Sequence, residues 1–263
     1  MDRAALQIVG GGKMGEALLA GLRRADPGLS VRVVETHPAR AAELRAAHAG
    51  VEVAAEPGPA DGTLIAVKPH LVGEVAGAVG AAGGGRVLSI AAGVTLASLE
   101  AALPPGTPVV RAMPNTPALV GAGAAAIAAG RAAGDDDLAW AESVLGAVGT
   151  VVRVPEHLLD AVTGLSGSGP AYVFLVLDAL IEGGVAAGLP RDVAEALAGQ
   201  TLLGAATLFL QGDASPGELR AAVTSPGGTT AEGLRVLEQR AVRAALIDAV
   251  LAARDRSVAL GSE

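Results

Sequence analysis

Residues 8–22 read IVGGGKMGEALLAGL, a glycine cluster between a β-branched run and a helix-forming one. Gly10, Gly12 and Gly15 fall in G-x-G-x-x-G spacing, directly after a predicted strand and opening a predicted helix. Each has its own reason. Gly10 permits a tight turn, Gly12 lets the backbone reach a pyrophosphate, and Gly15 lets the helix pack closely on the sheet. A glycine-rich turn without a ligand is the alternative, but either way a strand–turn–helix unit commits the chain to α/β architecture.

The rest of the first 155 residues keeps that pattern. LQIVG, VRVVE, TLIAV, RVLSI and TPVVRAM alternate with alanine-rich helical stretches, and GAAAIA and TVVRV add one or two strands around a helix starting near Asp135. Such alternation predicts a doubly wound, Rossmann-type sheet over 1–155. Beyond Pro155 helical periods dominate, broken at SGSGP, GLPRD, GDASP and SPGGTT, which predicts an all-helical domain over 156–263. In GLPRD, Gly188 ends one helix and Pro190 stands near the start of the next.

Composition narrows the function classes. A net charge of −8, with 19 Lys and Arg and 2% aromatics, provides neither a basic stripe nor a stacking platform, so nucleic acid is not an expected partner. The chain has no cysteine, which removes disulfides, thiolate nucleophiles and sulfur-ligated metals. His37, His48, His70 and His157 do not stand in metal-ligand spacing, and no metal site is expected. The most apolar segment, AYVFLVLDALIEGGVAAG, carries Asp178 and Glu182, which predicts a buried helix rather than a membrane span. With an acidic residue early and only a short apolar run at the start, cytoplasmic residence is expected.

Glu35 stands 20 residues after Gly15, where an acidic side chain accepts hydrogen bonds from an adenosine ribose. A carboxylate there repels a 2′-phosphate, whereas His37 and Arg40 can receive one, so NADH and NADPH both stay open. Glu35 as a solvated strand end is the other reading. AVKPH (66–70) and SIAAGV (89–94) fall at predicted strand ends, where ligands bind in such sheets. Pro69 fixes a turn, small Ala91, Ala92 and Gly93 leave room for a flat ring, and Lys68 is either a ligand contact or a solvated charge. In RAMPNTPALVGAG two prolines bracket Asn115 and Thr116, either to present them from a stiff loop or as a plain turn. A second glycine loop, SPGGTT, opens a helix near the C-terminus, and backbone N–H groups crowd around an anion at such a place. Two such loops suggest a cofactor and a substrate.

In this order GGGKMG, AVKPH, SIAAGV, RAMPNTPALV, LSGSGPAYVF and VTSPGGTT make the chain resemble the pyrroline-5-carboxylate reductases, from about residue 5 to about residue 258. The resemblance implies a nucleotide domain and a helical domain that interlocks with a second chain, giving a homodimer with shared active sites that stacks in some relatives into larger assemblies. It implies reduction of a cyclic imino acid, 1-pyrroline-5-carboxylate, to L-proline by NADPH or NADH. It also implies cofactor contacts at Gly10, Gly12, Lys13, Met14, Gly15, Glu35, Ala66, Val67, Lys68, Pro69, Ala91, Ala92 and Asn115. Ser225, Gly227, Gly228, Thr229 and Thr230 would hold the substrate carboxylate, with the Thr230 hydroxyl near the ring nitrogen as the catalytic group. SGSGP would open the central helix beside the nicotinamide, or Ser168 is simply a helix cap. Many relatives carry a polar or basic group where this chain has Glu35–Thr36–His37.

Two rival readings are set apart by the same residues. A β-hydroxyacid dehydrogenase or another imine reductase usually places a lysine or aspartate in the central helix as proton donor, and AYVFLVLDALIEGG has no lysine. A noncatalytic dinucleotide-sensing dimer has no use for SPGGTT. Tyr172 is expected to pack rather than donate a proton, and Asp178 and Glu182 to be rim charges on one helix face.

Overall fold

The computed structural model describes residues 3–261, in two compact units: residues 3–168 with 252–261, and residues 169–251. The first unit is built on one eight-stranded sheet in the order β3-β2-β1-β4-β5-β6-β7-β8. Its strands are β1 (Ala4–Val9), β2 (Val31–Val34), β3 (Glu52–Ala54), β4 (Ala60–Ile65), β5 (Arg86–Ser89), β6 (Val109–Met113), β7 (Gly123–Ala129) and β8 (Gly149–Arg153). All neighbours are parallel except β6 and β7, which are antiparallel. Only a 3-10 turn at Thr116–Val120 separates that pair, too little chain for a parallel crossover. The short β3 carries no apolar run that the sequence could have revealed, and GAAAIA and TVVRV each form a strand.

Helices α1 (Lys13–Ala25), α2 (Pro38–Ala47), α3 (Val72–Ala81), α4 (Leu96–Ala102) and α5 (Asp135–Gly146) connect the strands. Alternate β1 side chains serve opposite faces: Ile8 packs in one cluster with Leu18 and Leu19 of α1, and Val9 packs in the other with Val72 and Val79 of α3. Ile8, Leu18 and Leu19 are fully buried, each contributing about 1.5–3 kcal/mol. A Leu18→Ala cavity there would cost about 2–5 kcal/mol. Helix α5 begins at Asp135 as its acidic first turn predicts, and the Asp137 carboxylate accepts the Gly134 N–H at 2.9 Å.

The helical part begins with α6 (Leu159–Val162) and a π-helical turn at Thr163–Gly167, and continues as α7 (Gly169–Ala186), α8 (Arg191–Gln211), α9 (Pro216–Ala222), α10 (Thr229–Gln239) and α11 (Val242–Leu260). Gly188, at φ +101°, and Pro190, the N-cap of α8, separate α7 from α8. Ser215 and Glu218 form a capping box that starts α9. The expected break at SGSGP falls where α7 begins, with a bend at Ser168 between the π turn and Gly169. The Ser168 N–H reaches five residues back to Thr163 O at 2.8 Å and closes the π turn.

The expectation of a buried α7 also needs correction: Ile181 is its one buried residue, and Phe174 and Leu175 are 63% and 71% exposed. Leu203 and Leu210 of α8 are exposed as well. Residues 156–186 and 191–211 are long and apolar enough to cross a membrane by length and composition alone. Apolar residues occupy most sides of these helices, and within its own unit α7 finds mainly α8 to pack against.

Candidate active site

Strand β1 ends in the glycine loop, and each predicted role has a geometric counterpart. Gly10 has φ +108°, and a Cβ there would lie 2.5 Å from Ala66 O. A Cβ on Gly15 would come within 2.1 Å of Gly10 O, so only glycine lets α1 leave the strand at this angle. Gly12 differs: nothing lies within 4 Å of the place its Cβ would take, and as the N-cap of α1 it has no side chain to cap the helix. The first amides of α1 therefore face open space at the positive end of the helix, an anion cradle that a side chain would fill.

That cradle opens into a cleft of about 590 Å³ at the carboxyl ends of β1, β2, β4 and β5, where the strand order reverses. Gly10 and Gly12 form its floor. Glu35 and Thr36 line it after β2, Ala66 to Pro69 after β4, and Ala91 and Ala92 after β5. Leu71 and Glu74 complete the wall from the 3-10 turn Pro69–Leu71 and the first turn of α3. Thr36 and Glu74 were missed in the sequence, although Thr36 directly follows Glu35 and Glu74 lies four residues beyond AVKPH. The donor set, the small residues and the size fit a dinucleotide.

Glu35 is fixed from two sides. Its Oε2 accepts the Gly11 N–H at 3.1 Å and its Oε1 accepts the His37 N–H at 2.8 Å. Arg40, in the first turn of α2, donates from Nε to Gly11 O at 2.7 Å, pairs with Glu16, and bonds Glu43 at 2.9 Å. The Glu16 carboxyl is held below its ordinary range, chiefly by the hydrogen bond from Arg40. Arg40 is correspondingly raised, with Glu43 the larger cause and Glu16 next.

Three expected cofactor residues do not line this cleft with their side chains. Lys13 and Met14 stand in the first turn of α1, where Met14 packs against the core. Asn115 spends its side chain inside the fold: Nδ2 donates to Ser166 O at 3.1 Å, and Oδ1 accepts the Ala124 N–H at 2.9 Å. Beside the cleft a second cavity of about 630 Å³ shares Pro69 and Ala92 with it and reaches Ser98, Thr163 and Ser168.

In the second unit SPGGTT forms the start of α10. Gly227 has φ +69°, and a Cβ on Gly228 would lie 2.4 Å from Ser225 Oγ. Gly228 is the N-cap and offers no side-chain cap, so the amides after it are open to an anion, with Thr229 and Thr230 exposed in the first turn. Elsewhere in this unit Tyr172 OH donates to Ala249 O at 3.3 Å, a packing role, and Glu182 pairs with Arg191.

Comparison with known proteins places this geometry in context. Residues 156–260 match the family model described as pyrroline-5-carboxylate reductase dimerisation, and residues 5–93 match one described as NADP oxidoreductase, coenzyme F420-dependent. A pyrroline-5-carboxylate reductase of a Synechocystis species is 46% identical, over 98% of each chain. One from Mycobacterium tuberculosis is 44% identical, over 97% of this chain and 96% of the relative. Among solved structures, a pyrroline-5-carboxylate reductase from Coxiella burnetii superimposes with a TM-score of 0.91 at 35% identity, covering 98% of this chain and 99% of that one. The Plasmodium falciparum enzyme, solved with NADP bound, gives 0.84 at 28% identity, over 99% of each.

Proposed function

The chain belongs to the pyrroline-5-carboxylate reductase family, and from that premise we propose how its residues divide the work of reducing 1-pyrroline-5-carboxylate to L-proline. The cofactor is NAD(P)H, and when bound it supplies the hydride that the C=N carbon of the cyclic imine accepts. The open start of α1 at Gly12 holds its pyrophosphate. Glu35 receives the ribose hydroxyls, and Ala91 and Ala92 leave space for the flat ring.

The substrate carboxylate is held by the amides after Gly228, with the hydroxyls of Ser225 and Thr230 beside it. Thr230 orients the ring nitrogen. A protonated cyclic imine is already electrophilic, so hydroxyls and amides suffice where many reductases need a strong acid. The protein's task is to orient two ligands and keep water away.

The observation that carries this reading is the pair of glycine loops that each end in an uncapped glycine N-cap, Gly12 and Gly228, one anion site for each ligand. The dimerisation match over 156–260 supports a homodimer, and the exposed apolar faces of α7 and α8 supply the surface for it. We extend this to active sites shared between protomers, to dimers that stack further, and to residence in the cytoplasm, where reduced nicotinamide nucleotides are available. The test is the initial rate of NADH and NADPH oxidation with 1-pyrroline-5-carboxylate, with proline identified as the product. Folded dimer that forms no proline with either would overturn the reading.

A further inference from the structure

The start of α2 is where this cleft would meet any group carried on the 2′-position of the adenosine ribose, since the ribose is read just after β2. In this chain that position is already filled by a carboxylate. Both Glu35 oxygens are held by backbone donors, from Gly11 and from His37, the N-cap of α2. Pro38 occupies the first position of α2 and removes one amide that an added phosphate would have used.

Arg40 is the cation in the first turn of α2, and all of its nitrogens are engaged. Nε serves Gly11 O, and the two terminal nitrogens serve Glu16 and Glu43. Glu16 also meets His48 Nε2 at 3.2 Å. Two carboxylates, those of Glu16 and Glu43, thus engage one guanidinium, while Glu35 is held by the backbone on either side. The cation that does line the cleft, Lys68, follows β4, which lies on the far side of β1 from β2. Two strand spacings put those strands roughly 10 Å apart. Thr36 adds only a neutral hydroxyl, and Glu74 adds another negative charge to the wall.

We infer that the cleft selects NADH over NADPH, with Glu35 as the specificity residue and Arg40 as a positioning residue that ties the glycine loop to α2. The inference rests on the assignment of the cleft to the cofactor of this reductase, and it chooses between the two forms that assignment allows. Free ribose hydroxyls donate to a fixed carboxylate in charge-assisted bonds. A 2′-phosphate brings like charge to the same place and finds no uncommitted guanidinium.

The test is direct titration of the full-length dimer with NADH and NADPH, followed by nicotinamide fluorescence and by calorimetry, for the wild type, Glu35→Gln and Arg40→Met. The wild type is expected to bind NADH at least about tenfold more tightly, a gap of the size one close charge pair produces at moderate screening. Glu35→Gln keeps the shape and removes the charge, and should close most of that gap. Arg40→Met should weaken both dinucleotides by a similar factor. Equal or tighter wild-type binding of NADPH, or a loss confined to NADPH in Arg40→Met, would overturn the inference. Binding of neither dinucleotide would overturn it together with the cofactor assignment. NADH selectivity without imine turnover would instead overturn the reaction and leave the inference standing.

Discussion

Asn115 Nδ2 donates to Ser166 O across 3.1 Å, at a carbonyl that residue 170 would serve in a regular α-helix. Residue 170 is a proline and has no N–H to give. The same side chain accepts the Ala124 N–H at 2.9 Å, so one amide joins the loop after β6, the edge of β7 and the π turn before α7. Asn115→Ala should therefore cost about 1–3 kcal/mol by leaving backbone groups unpaired, measured as the denaturant midpoint. NADH affinity should stay unchanged, because Asn115 does not line the cleft; a loss of affinity without a loss of stability would restore it to the cofactor contacts.

Gly12 and Gly15 should fail differently. Gly12→Val has open space for its side chain, so melting should be unaffected while cofactor binding weakens by tenfold or more, the equivalent of about 1.4 kcal/mol. Gly15→Ala drives a methyl into Gly10 O and should lower the melting temperature. Calorimetry of both variants with and without NADH separates the two effects.

Thr230→Ala should lower kcat by ten- to a hundredfold, since a hydrogen bond to a charged group contributes about 1.5–3 kcal/mol. The NADH dissociation constant should not move. Wild-type turnover by this variant at saturating substrate would remove the hydroxyl from the mechanism.

The Glu16–Arg40 pair predicts a pH dependence with a definite sign. The folded-state carboxyl is held below its ordinary range by Arg40, so its contribution to stability is complete above the unfolded value of about 4.3 and is lost as pH falls through the folded value. The melting-temperature difference between wild type and Glu16→Gln should be largest near neutrality and should close in acid. A difference that persists unchanged to low pH would show that the charge is not its origin.

Leu203→Glu puts a charge on an exposed apolar helix face and should shift the protein from dimer to monomer in sedimentation. If active sites are shared between protomers, imine turnover should fall with dimerisation, and NADH binding, whose cleft lies in the first unit, should survive. A monomer that retains full turnover would refute the shared site.

Local signals in the sequence accounted for much of this protein. The glycine spacing around Gly10, Gly12 and Gly15, the β-branched runs and the acidic start of α5 are each decided within a few residues, because turn sterics, strand period and helix capping act at that range. Ala66 to Pro69, Ala91 and Ala92 were legible for a related reason: in a doubly wound sheet the ends of consecutive strands must converge on one edge. Other features depend on partners distant in sequence. Asn115 looked like a ligand-presenting loop residue until Ser166 and Ala124 claimed its amide. Arg40 looked like a phosphate receptor until Gly11 and Glu16 engaged it. Short-range sterics thus settled, from the sequence by itself, where the strands end and where backbone amides stand open. Only the tertiary structure decided which polar side chains are already committed, because a hydrogen bond between residues far apart in the chain leaves no periodic trace in the sequence.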